Sequence, residues 1–109
     1  LQGLAKIKQV IQKVRLRLNK GLSIGGVIPT MYDARKVLNR DVVETIQKYF
    51  GPLVFNTYIR DNVALAEAPA KRQDIFAYNR NSSGAKDYLK LAQEIIKRSA
   101  ETAENTREN

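Results

Sequence analysis

T-Y-I-R-D-N-V-A-L-A-E-A-P, residues Thr57 to Pro69, together with the earlier G-G-V-I-P-T-M-Y-D-A-R, Gly25 to Arg35, decides how this chain is read. In each stretch a short apolar run breaks into polar residues, the pattern of a buried strand ending in an elbow. Open parallel sheets hold their ligand sites at such elbows. Thr30 to Asp33 and Ile59 to Val63 are therefore the first places to look for function.

Working outward, the run from Leu22 to Met31 is bracketed by glycine and too short for a packed helix, which predicts strand one, with Pro29 tolerated only near its end. Leu53 to Ile59, rich in Val, Phe, Thr, Tyr and Ile, predicts strand two. Between them, residues 40–50 predict a helix with Val42, Val43, Ile46, Tyr49 and Phe50 on one face, Asn39 as its cap and Gly51-Pro52 as its stop. A strand, a helix and a strand imply a right-handed crossover and parallel pairing, so the two elbows should open on the same edge.

Upstream, Leu4, Ile7, Val10, Ile11, Val14 and Leu18 recur at helical spacing before Gly21. Downstream, Ser82 or Ser83 can cap a last helix that carries Tyr88, Leu89, Ala92, Ile95 and Ile96 and ends near Ala100. The expected fold class is α/β, in the order helix, strand, helix, strand, short helix, helix. Residues 1–100 form the expected folded unit, and residues 101–109 a polar, disordered tail.

The 109 residues contain neither Cys nor His, which excludes disulfides, thiol nucleophiles, Cys/His metal sites and imidazole-based catalytic triads. With 43% apolar and 28% charged residues the composition is that of a folded domain. No apolar run approaches the ~20 residues of a bilayer span, so a cytoplasmic protein is expected. The net charge of +8 suits a polyanionic partner. Six of the basic side chains, and no acid, fall in residues 1–20.

The ordered motifs L-x-G-L near Leu1, G-V-I-P-T-M-Y-D-A-R, K-Y-F-G, V-F-N-T-Y-I-x-x-N-V-x-L-A-E-A-P and S-x-G-A-x-x-Y-L-x-L-A-x-E closely resemble the ParA/Soj partition ATPases, over nearly all of residues 1–100. The resemblance implies the C-terminal part of a P-loop parallel-sheet fold with a deviant Walker A motif. It also implies ATP-dependent homodimers, nonspecific DNA binding, a ParB/Spo0J-type partner and nucleoid association in the cytoplasm. No G-x-x-x-x-G-K-[ST] loop is present, and neither are the upstream magnesium ligand and water-orienting segment. The chain therefore reads as the C-terminal half of such an ATPase, with no catalytic residue or metal ligand of its own and no ATP hydrolysis when alone.

By that resemblance Thr30, Met31, Ile59, Arg60, Asp61 and Val63 flank the adenine of ATP, Met31 and the aliphatic groups giving flat apolar contact and the backbone reading the polar edge. Many relatives read I-P-R-N where this chain has Ile59-Arg60-Asp61-Asn62, so the family's DNA-contacting arginine falls on Asp61, which repels phosphate. Another basic position of the family falls on Ser83. Arg60, Lys71, Arg72, Arg80 and Lys86 are the DNA-contact candidates that remain. Glu67, a lone carboxylate, reads as structural. The alternatives are a free-standing basic nucleic-acid-binding module without ATPase activity, and a MinD-type membrane ATPase. The second needs large apolar residues that S-A-E-T-A-E-N-T-R-E-N, residues 99–109, lacks.

Overall fold

The computed structural model describes residues 2–108; Leu1, where the first motif begins, and Asn109, where the expected tail ends, lie outside them. The apolar period of the N-terminal segment produces helix α1, Gln2–Arg17, but none of its residues is buried. Ile7 remains 61% exposed and Val10 58%. The helix is tethered at its polar flank instead. Lys8 Nζ sits 4.5 Å above the Tyr49 ring, and Arg15 Nε donates to the Leu22 carbonyl at 2.7 Å.

Helix α2, Val37–Phe50, starts three residues before the sequence pattern places it, because Asn39 does not cap it. Its Oδ1 accepts instead from the Asp33 N–H at 3.2 Å and ties down the turn before the helix. Gly51, at a φ of 56°, ends α2 and opens a single 3-10 turn, Gly51–Leu53. Helices α3, Val63–Ala70, and α4, Ile75–Asn79, follow; Asp74 caps α4 by accepting from the Ala77 N–H at 2.9 Å. The long helix α5, Ser83–Glu108, is capped by Ser82, whose buried hydroxyl accepts from the Ala85 N–H at 3.1 Å. It continues past Ala100, where the sequence pattern ends it.

The expected α/β parallel sheet is not formed: among the described residues there is no β-strand, and the element order is helical throughout. The segments expected as strands do run alongside each other in parallel, but they meet only at the isolated bridges Val27 with Val54 and Tyr32 with Arg60. The first segment takes five steps between these bridges and the second takes six, so the ladder cannot stay in register. Pro29 has no N–H to add a rung, though its carbonyl accepts from Ile59 at 2.9 Å. The N–H groups of Asn56, Thr57 and Arg60 bond to carboxylates of α5 rather than to a further strand.

The core is small: Phe55, Ile59 and Leu91, with Ile28 and Leu65 packed against them. Gly26 permits this packing, since the Phe55 ring lies where a Cβ on residue 26 would stand. The exposed area of 8619 Å² exceeds the ~6,100 Å² of a compact protein of this mass. The excess includes the open faces of α1 and of the distal half of α5, where Ile96 is 69% exposed.

Candidate nucleotide-base site at the paired elbows

The two elbows are joined by their own backbone. Tyr32 donates its N–H to the Ile59 carbonyl at 3.0 Å, and Asp61 donates to the Tyr32 carbonyl at 3.1 Å. The rings of Tyr32 and Tyr58 meet edge to face at 4.9 Å, which fixes the two mouths side by side. Beside them opens a cleft of about 540 Å³ lined by Tyr32, Asp33, Ala34, Arg35, Tyr58, Arg60, Asp61, Asp87 and Lys90.

Helix α5 grips the second segment with three charged side chains on one face, of which only Asp87 lines the cleft. Asp87, 4% exposed, accepts through Oδ2 from the Arg60 N–H and from Arg60 Nε, each at 2.9 Å, and through Oδ1 from Arg60 Nη2 at 2.9 Å. Burial pushes the Asp87 carboxyl upward, but the side-chain and backbone donors of Arg60, with the charges of Arg60 and Lys90, hold it below its ordinary value. Two turns on, Glu94 accepts from the N–H groups of Asn56 and Thr57 and from the Thr57 hydroxyl, at 2.9, 2.9 and 2.8 Å. Arg98 then donates to the carbonyls of Pro52, Leu53 and Val54, with its guanidinium 4.1 Å from the Phe55 ring centre.

On the other wall, Arg35 grips Asp33 through Nε and Nη2, both at 3.0 Å, and this pairing pushes the Asp33 carboxyl down to about 2. Two of the cleft's three cations, Arg35 and Arg60, are thereby paired with aspartates, and the third, Lys90, adds its charge beside Asp87. The lining suits a neutral, planar group with polar edges rather than a triphosphate. Among the described residues no cluster of three or more His, Cys, Asp or Glu is arranged to hold a metal ion.

The elbows gather the base-site candidates but present them unequally. Met31 is 72% exposed with a φ of 53°, a left-handed conformation costly for a bulky side chain, and Val63 is 71% exposed. Arg60 and Asp61 line the main cleft, whereas Thr30 faces a neighbouring groove of about 380 Å³ against α2. Ile59 is 2% exposed, its N–H donates to the Pro29 carbonyl and its own carbonyl accepts from Tyr32, so it supports the mouth from beneath.

The DNA-contact candidates divide. Arg60 is engaged by Asp87. Lys71 and Arg72 stand at the exposed turn before α4, while Arg80 caps its far end and the exposed Lys86 lies in the first turns of α5. The carboxylate of Glu67, on α3, lies close enough to the Tyr78 hydroxyl of α4 to push that phenol upward. Sequence reasoning missed Tyr58, Lys90 and the gripping roles of Asp87, Glu94 and Arg98. The one available signal was their spacing, which puts residues 87, 94 and 98 on one helical face. No helix among the described residues is long and apolar enough to cross a membrane.

Residues 2–75 match the family model described as the CobQ/CobB/MinD/ParA nucleotide binding domain. The chain is 46% identical over 98 residues to the chromosome-partitioning ATPase Soj of Treponema pallidum, covering 90% of this chain and 39% of that protein. It is 42% identical over 95 residues to the sporulation initiation inhibitor protein Soj of Bacillus subtilis, covering 87% and 38%. It is 39% identical over 98 residues to the chromosome partitioning protein ParA of Caulobacter vibrioides, covering 90% and 37%. The chain thus spans about two fifths of the length of these relatives.

Proposed function

The chain belongs to the CobQ/CobB/MinD/ParA nucleotide-binding family, as a member of its ParA/Soj partition ATPase group, and on that premise we propose that it is the C-terminal, base-side part of such an ATPase. In this role the paired elbows receive the adenine of ATP, while the phosphates and magnesium are held by residues outside this chain. The observation that carries the reading is the reciprocal hydrogen bonding of Tyr32 with Ile59 and Asp61, which brings both mouths to one open cleft. The pairing of Arg35 and Arg60 with aspartates supports it, because a base needs edges and faces whereas phosphates need free cations. The bare apolar faces of α1 and α5 fit a piece covered by further protein.

Lys71, Arg72, Arg80 and Lys86 form the second part of the proposal, a dispersed phosphate-contacting surface for nonspecific DNA. For the whole polypeptide the proposal extends to ATP-dependent homodimers and a ParB/Spo0J-type partner in chromosome or plasmid partition. Photolabelling of the natural polypeptide that carries these residues with azido-ATP tests the base site. The expected adducts map to residues 28–33 and 58–63 and disappear under excess ATP. Competable labelling confined to other peptides would refute it.

A further inference from the structure

Asp87 takes three donor groups of Arg60: the backbone N–H at 2.9 Å, Nε at 2.9 Å and Nη2 at 2.9 Å. One carboxylate thereby fixes both the peptide and the side chain of the residue at the centre of the second elbow. The bond to the peptide matters most, because the next peptide N–H, that of Asp61, is the one that reaches across to the Tyr32 carbonyl. Rotation about Arg60 would move that N–H and open the join between the mouths.

We infer that Asp87 is a positioning residue for the base site: it sets the conformation of the Ile59–Val63 elbow through Arg60, so that base selectivity is controlled from the N-terminal part of α5. This rests on the reading of the elbows as a base site. It adds that the selectivity depends on a residue that only borders the cleft and is itself 4% exposed. It also weakens Arg60 as a phosphate contact, since Nε and Nη2 are held by a buried carboxylate while the rest of the guanidinium stays half exposed.

Glu94 supplies an internal control. It too is a carboxylate of α5 that accepts N–H groups of the same segment, but at Asn56 and Thr57, before the elbow begins. Both Asp87→Asn and Glu94→Gln remove a charge that grips this segment, and only the first touches the elbow. The experiment measures binding of methylanthraniloyl-ATP and methylanthraniloyl-GTP to the natural polypeptide carrying these residues, for the parent, Asp87→Asn, Arg60→Met, the double variant and Glu94→Gln.

Asp87→Asn and Arg60→Met should each lower the ATP-to-GTP affinity ratio by roughly tenfold, the scale of coupling between contacting residues, and the double variant should be no worse than either. Glu94→Gln should lower the melting temperature and leave the ratio unchanged. An unchanged ratio in Asp87→Asn overturns the inference, as does an equal shift in Glu94→Gln or additive single effects. A parent polypeptide that fails to bind the ATP analogue competably overturns the base-site reading itself, a distinct result.

Discussion

Replacing Glu94 by Gln puts the grip of α5 on the extended segment to the test. The carboxylate, 14% exposed, receives Asn56 N–H and Arg98 Nη2 on Oε2, and Thr57 N–H and hydroxyl on Oε1. Gln keeps one oxygen, which can serve the two Thr57 donors, and turns its amide NH₂ toward Asn56 N–H and Arg98, donor against donor. A hydrogen bond to a charged group contributes roughly 1.5–3 kcal/mol, and a partly buried i,i+4 ion pair adds about 0.5 kcal/mol. The expected loss is therefore about 2–3 kcal/mol at pH 7, a large share of the ~5–15 kcal/mol that holds most domains together.

The pH dependence carries a sign. Burial alone would raise the Glu94 carboxyl, but the donors of Asn56 and Thr57 and the charge of Arg98 outweigh it and hold the group below 4.5, its ordinary value. A group depressed in the folded state contributes fully above its unfolded pKa, and that contribution fades as pH falls through the folded one. The parent should lose stability on acidification below about pH 4.5, and Glu94→Gln should lose less, keeping only the acid limb of carboxylates such as Asp87 and Asp33. Urea denaturation followed by far-ultraviolet ellipticity, at pH 7 and in steps to acid, measures both. A loss under about 0.5 kcal/mol at pH 7, or an acid limb identical to the parent's, would show that the segment is held by other means.

Gly26→Ala should cost about 1–3 kcal/mol, read as a fall in Tm, because the Phe55 ring is confined between Gly26 and the Arg98 guanidinium; an unchanged Tm would mean the ring can move aside. Gly84→Ala should act similarly where α5 meets α3, since the new Cβ would stand 2.5 Å from Leu65 Cγ. Met31→Val, which forces a β-branched residue into a φ of 53°, should destabilise by about 1 kcal/mol despite the exposure of the site, whereas Met31→Gly should not; equal effects in denaturant melts would rule out backbone strain. In DNA retardation across a salt series, alanine at Lys71, Arg72, Arg80 or Lys86 should each reduce the slope by about 1, and Arg60→Ala should reduce it by less.

The helices at either end of the chain were readable because their apolar residues recur with the period of a helix, and Ser82 caps the last one as its position suggested. The parallel approach of the segments around Val27 and Val54 and the meeting of the elbows followed from the order of elements. The sheet did not form, for reasons no local pattern records. The two segments differ by one residue between their bridges, and the outward N–H groups are taken by side chains 27 to 38 positions away. The same distance hid the pairing of Arg60 with Asp87, which reads locally as a loop cation and a helix-start acid. Ile59 stood out by its place in the motif, but its near-complete burial did not.

The grips at residues 87, 94 and 98 are spread over about 16 Å of α5 at the usual rise of a helix. A force along the helix axis would strain all of them together, whereas a force lifting the last turns would break Arg98, then Glu94, then Asp87 in turn. The structure should therefore resist shear and yield to peeling, and a tug on the C-terminal end of α5 would reach the second elbow last.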